Sequence, residues 1–123
     1  MLGLRPFFYG RHLMSDWYYL KYRKPVPYGC DILTDPSGYI KIYNKQYIGK
    51  KRYTRFIRRK FIGPYHVSTI FLGLDHGHNG VPMLFETMVF KGNSSSDLYC
   101  ERCTTHRQAL KQHQQAIEWV NNE

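Results

Sequence analysis

Acidic residues are nearly missing from the first half of this 123-residue chain. Residues 1–66 hold 14 Lys and Arg against 3 Asp and Glu, net +11, whereas residues 67–123 hold 4 against 6, net −2. Between residues 45 and 60, eight of sixteen side chains are basic and none is acidic, which excludes a charge-balanced surface there. Long apolar runs are also missing. No stretch approaches the roughly 20 residues a membrane-spanning helix needs, so no membrane partner is expected. Cysteine is scarce, and the odd set Cys30, Cys100 and Cys103 does not make a disulfide framework. A reducing compartment is therefore expected. Residues 1–10 lack the charged start and apolar stretch of a secretory signal. Met14 offers a second start that would leave residues 1–13 as an upstream extension without function, and the N-terminal extension ahead of the domain is expected over 1–16.

What is present is a foldable composition. Hydrophobic residues make up 42% and aromatics 16%, too much for a mainly disordered chain, and the length suits one core. A single α+β domain is expected over residues 17–123, with a basic, aromatic-rich part at 39–64 and a hairpin–helix core at 66–121. Residues 17–23 are β-prone, and Pro25 and Pro27 should end them. Asp35-Pro36-Ser37-Gly38 reads as a turn, residues 39–43 as a strand, and Asn44-Lys45-Gln46 as a reversal into Tyr47-Ile48. Tyr53, Phe56, Ile57 and Phe61 fall at the spacing of a short helix, although β-branched residues and the Gly63-Pro64 flank leave a strand open. Residues 66–74 read as a strand with apolar residues on both faces, hence a central strand covered on both sides. Strands are expected again at 83–90 and 98–103. Thr104 or Thr105 should cap a helix over 106–121, whose stripe is Ala109, Leu110, Ala116, Ile117 and Val120 beside Trp119. The fold class expected is a small antiparallel β-meander with a C-terminal α-helix packed on one face.

The basic stretch is the largest functional signal. Lys50, Lys51, Arg52, Arg55, Arg58 and Arg59 are candidates for phosphate contacts, and Tyr47 and Tyr53 offer faces on which bases stack. RNA, DNA, a nucleotide or an acidic host protein would each suit such a surface; the plainer reading is a solvated basic face. Asp75-His76-Gly77-His78 lies in a loop where two histidines could reach one ligand. His76 and His78 are therefore second-tier contacts, and a polar hairpin tip is the plainer alternative. Two histidines without a third placed ligand make a weak metal signature, and neither a metal nor another cofactor is expected. Glu86 sits in an otherwise apolar strand, where a carboxylate either faces solvent or pairs with a cation such as Arg102 or His76. Cys100-Glu101-Arg102-Cys103 has zinc-knuckle spacing, but strand alternation would split its two thiols between opposite faces.

Two resemblances add to these readings. Gly38-Tyr39-Ile40-Lys41-Ile42-Tyr43 followed by basic residues resembles the DNA-binding entry of HNH-type homing endonucleases, and Leu74-Asp75-His76 resembles their first catalytic histidine. Pro82-Met83-Leu84-Phe85-Glu86 then replaces the Asn-rich helix that completes the metal site in that family. The second resemblance is longer. Val67-Ser68-Thr69-Ile70-Phe71-Leu72-Gly73-Leu74-Asp75-His76, then Leu84-Phe85-Glu86-Thr87-Met88-Val89-Phe90, then Glu101-Arg102 before Thr104-Thr105, resemble a group of small uncharacterised bacteriophage proteins. It covers residues 66–120 and implies a phage origin, the host cytoplasm and an accessory role during infection. It carries no catalytic residue, and the basic run at 45–60 is not part of it.

The function expected is thus a non-enzymatic accessory protein that binds an anionic partner through a basic, tyrosine-rich surface. A host-factor or host-defence inhibitor, acting by protein binding or signal sequestration, is the first alternative. A metal-dependent hydrolase or nuclease using the Asp75–His78 loop is the second. Self-association is left open.

Overall fold

Pro36 begins a helix rather than closing a turn. The computed structural model describes residues 17–30, 32–47, 55–77 and 80–123, and among them the first helix, α1, runs Pro36–Tyr47. The Asp35 carboxylate accepts from the Gly38 amide at 3.1 Å, and the Tyr39 amide donates to the Asp35 carbonyl at 3.0 Å. Proline suits the next position because its missing N–H has no partner to lose in a first turn. Tyr39, Ile42, Tyr43 and Gln46 are covered, whereas Ile40, Lys41, Asn44 and Lys45 are exposed. That period is helical. The strand expected over 39–43 and the reversal at 44–46 are therefore corrected.

The described chain divides into two units. The first holds residues 17–47 and Gly73–Asp75. Its strands β1 (Tyr18–Lys21) and β2 (Lys24–Pro27) form an antiparallel pair across a turn at Tyr22 and Arg23. The prolines do not end this ribbon; Pro25 and Pro27 lie in its returning strand, opposite Leu20 and Tyr18. A two-stranded ribbon has no third strand to receive the N–H groups that proline lacks. The Gln46 side chain, 4% exposed, accepts from the Leu20 amide at 3.0 Å and ties α1 to β1. Trp17, Tyr28, Tyr39 and Tyr43 fill the space between them, with ring centroids 5.3–6.2 Å apart. Tyr18 also donates its amide to the Gly73 carbonyl at 2.7 Å.

The second unit holds residues 55–72 and the described residues from His76 onward. Strands β3 (Phe56–Ile62), β4 (Tyr65–Phe71), β5 (Phe85–Lys91) and β6 (Asp97–Cys103) form an antiparallel meander in chain order. Helix α2 (His106–Asn121) packs on one face. The fold is therefore α+β of the kind expected. The helix anticipated from Tyr53 to Phe61 is corrected, because β3 is a strand. Gly63 takes φ 56° ahead of Pro64, a two-residue connection that pairs Ile62 with Tyr65. Glycine at its first position is what such a hairpin turn needs. Pairing with β4 then satisfies a backbone that local spacing alone would have coiled. A register shift between Phe56 and Arg58 leaves Ile57 as a bulge.

On the helix side, Val67, Thr69 and Phe71 of β4 and Phe85, Thr87 and Val89 of β5 are buried. Ala109, Gln112, His113, Ala116, Ile117 and Val120 meet them from α2. Val67, Val89, Ala116, Ile117 and Val120 form the centre of this core, extended by Tyr99 and Trp119 with centroids 5.4 Å apart. Thr105 caps α2: its hydroxyl accepts from the Gln108 amide at 3.2 Å, and the Gln108 side chain accepts from the Thr105 amide at 3.0 Å. This is a capping box, with two otherwise orphaned amides satisfied reciprocally.

Candidate functional site

The sheet face away from α2 is organised by the strand registers into three rows. The first crosses β3, β4 and β5 through Phe61, His66 and Phe90. The second runs Arg59, Ser68, Met88 and Cys100, and the third Phe56, Ile70, Glu86 and Arg102. Successive rows lie two residues apart along β4 and β5, about 7 Å, whereas the bulge sets Phe56 and Arg59 three residues apart on β3. Phe61 is 69% exposed and Phe56 47%, unusual for large aromatics, and they stand near the two ends of β3. The His66 ring stacks on Phe61 at 4.5 Å and 11°, and Phe90 lies 6.1 Å away. The Arg59 guanidinium carbon sits 5.5 Å from the centre of the Phe56 ring, within cation–π range.

His66 also borders an open groove of about 420 Å³ with Phe90 and the β5–β6 turn residues Gly92, Asn93, Ser94 and Ser95. Its Nε2 is buried without a hydrogen-bond partner. Partial burial, and then the Arg59 charge, hold its pKa below the ordinary value, so the ring is neutral near pH 7.

The residues anticipated for binding separate when placed on this frame. Arg59 is on the open face. Arg58 and Lys60 belong to the opposite face of β3, opposite Thr69 and Val67. Arg55 precedes β3, and its Nε donates to the Phe71 carbonyl at 3.3 Å. Tyr47 is the last residue of α1 in the first unit. Lys50, Lys51, Arg52, Tyr53 and His78 lie outside the described residues, as does the extension over 1–16. The expected basic, aromatic-rich part at 39–64 is divided between the two units, since α1 belongs to the first and β3 to the second. His76 is half-buried, and its amide donates to the Met83 carbonyl at 3.1 Å. Among the described residues no group of three His, Cys, Asp or Glu is placed to hold a metal.

Glu86 is 7% exposed and pairs with Arg102, Nε to Oε2 at 2.8 Å. Cys100 and Cys103 point to opposite faces. The exposed Cys100 thiol lies 3.8 Å from Glu86 Oε2, whereas Cys103 is buried and donates to the Thr105 carbonyl at 3.7 Å. Burial pushes the Cys103 thiol up to about 11, far from a reactive thiolate.

Two groups of residues escaped the sequence reading. Phe61 and His66 flank Gly63-Pro64 symmetrically, so reading that dipeptide as a hairpin turn would have paired them. His113, 3% exposed, lies under the sheet with its Nδ1 2.7 Å from Thr69 Oγ1, itself 2.7 Å from Thr87 Oγ1. The gap in the apolar stripe of α2 between Ala109 and Ala116 was its signal.

No protein-family model, curated protein or solved structure matches the chain. Among the described residues no helix is long and apolar enough to cross a membrane.

Proposed function

We propose that this protein is a non-enzymatic accessory protein that binds nucleic acid through the second unit, by the cations and aromatics of β3. The observation that carries the reading is the Arg59–Phe56 pair on an open sheet face, in a strand that also presents Arg58 and Lys60. A guanidinium attracts phosphate, and the exposed ring beside it accepts a base or a sugar. The eight cations between residues 45 and 60 supply the long-range attraction. The likeness of residues 66–120 to small phage proteins supports an infection-stage role, and the charge of β3 is then this chain's own addition to that pattern.

The test is a salt titration of labelled RNA and DNA against the whole protein and an Arg58→Glu/Arg59→Glu variant. Affinity should fall with a log–log salt slope of about −0.7 to −0.9 per phosphate neutralised, and the variant should lose at least one such contact. No shift with either nucleic acid at low salt would sink the proposal. Retention of an acidic host protein by the whole chain, but not by the variant, would replace it with the inhibitor reading.

A further inference from the structure

We infer that the Phe61–His66–Phe90 row and the groove beside it receive an unpaired base, so that the ligand is a single-stranded rather than a duplex nucleic acid. This deepens the proposed function and rests on it. Four observations converge on one end of the sheet. Phe61 is pre-stacked on His66, and most of its surface is open to solvent. The groove borders His66, the inner ring of that stack, and has an aromatic wall, Phe90, and a polar one, Asn93, Ser94 and Ser95. His66 brings a buried Nε2 with no partner in the protein. Arg59 lies one row away on the same face, about 7 Å along β3.

These features suit a nucleobase better than a bare phosphate or a duplex backbone. A flat heteroaromatic ring extends the existing Phe61–His66 stack, and its edge carries donors and acceptors for the turn side chains. A neutral imidazole offers its Nε2 for a hydrogen bond rather than a second fixed charge. The adjoining phosphates would run towards Arg59, and a second base two rows on would meet Phe56. A duplex keeps its bases inside its stack and presents no free face to these rings. The inference therefore separates charge from selectivity: the cations set the salt slope, while the aromatic row sets the preference for single strands.

Fluorescence anisotropy with a labelled 12-nucleotide oligouridine and oligoadenine, against a 12-base-pair RNA duplex, tests this on the whole protein. Single strands should bind more tightly than the duplex. Phe61→Ala should weaken them on the order of tenfold, as loss of one base–aromatic stack does, with the salt slope unchanged. His66→Ala should do the same, and Phe61→Tyr should retain binding. Phe61 is largely exposed, so its replacement leaves the core intact, which far-UV circular dichroism would verify. If Phe61→Ala and His66→Ala bind single strands like the parent while the Arg58→Glu/Arg59→Glu variant does not, the base site is wrong and the nucleic-acid reading stands. An equal or tighter affinity for the duplex also overturns the base site alone. If neither oligonucleotide nor duplex binds at low salt, both proposals fall together.

Discussion

Glu86 and Arg102 face each other across β5 and β6, with Nε 2.8 Å from Oε2, and the two partners differ sharply in exposure. The carboxylate side chain is 8% exposed and the guanidinium side chain 41%. Removing the cation would leave a carboxylate surrounded by strand residues with little water. Fully buried pairs cost about 3–5 kcal/mol when one partner is lost. Arg102 is well solvated, so Arg102→Ala should cost less, about 2 kcal/mol. The double variant Glu86→Leu/Arg102→Met should recover most of that loss. Urea unfolding of the three variants checks this, and an Arg102→Ala midpoint equal to that of the parent would show that water replaces the guanidinium.

His113 makes stability depend on pH. Burial, then the charges of Arg58 and Lys60 on β3, lower its pKa from the ordinary 6.5. The hydroxyl against its Nδ1, Thr69 of β4, and the Thr87 hydroxyl of β5 that pairs with Thr69 are uncharged. Above about pH 6.5 both folded and unfolded forms hold a neutral ring, and the stabilisation is complete. As pH falls below that value the unfolded chain takes up the proton first, so stability declines until the folded ring also titrates. Unfolding midpoints at pH 7.5 and 5.5 should therefore differ, with the acidic one lower. His66 shifts in the same direction, so His113→Leu should reduce the difference and His113→Leu/His66→Leu should reduce it further. An undiminished difference in the double variant would assign the effect to other groups.

Thr105 closes both arms of the α2 cap. Thr105→Ala removes the acceptor for the Gln108 amide and should cost about 1 kcal/mol. Thr105→Ser keeps the oxygen and should cost much less. Thermal melts followed by circular dichroism separate the two; equal losses would mean that the methyl group, not the hydroxyl, holds the turn.

Cys103 should be inert in the native protein. With a thiol pKa of about 11, about one molecule in a thousand carries the thiolate at pH 8, and the sulfur is buried. In a Cys30→Ser/Cys100→Ser background, a disulfide reagent should react with Cys103 only after denaturant is added. Rapid labelling without denaturant would mean that the β6–α2 junction opens readily.

The second half of the chain was legible because its signals agree with one another. Val67, Thr69 and Phe71 alternate in a central strand, though full burial is confined to the helix side rather than both faces as its apolar content suggests. Thr105 opens a periodic helix at a capping box. The first half misled because two elements carry ambiguous spacing. Residues 39–43 alternate lysine with isoleucine like a strand, yet Tyr39, Ile42, Tyr43 and Gln46 share a helical face, and Asp35-Pro36 starts a helix as readily as a turn. Residues 53–61 show helical spacing, but the partner that settles β3 is β4, which lies beyond the window that periodicity samples. The error reached the site. A helix would have gathered Arg55, Arg58 and Arg59 near one another, whereas strand alternation sends Arg58 and Arg59 to opposite faces.

In its sheet β3 is an outer strand, paired on one side with β4. Unpaired outer strands template the growth of one sheet onto another, and arginine and lysine in such a strand oppose it by repulsion between copies. Arg58, Arg59 and Lys60 sit on that strand, where their charges would oppose such growth between copies. Neutralising them by substitution should lower solubility, with turbidity rising at high protein concentration. Light scattering must therefore accompany each titration of such variants. Charge reversal to glutamate, which restores repulsion with the opposite sign, is the cleaner way to test what these cations do.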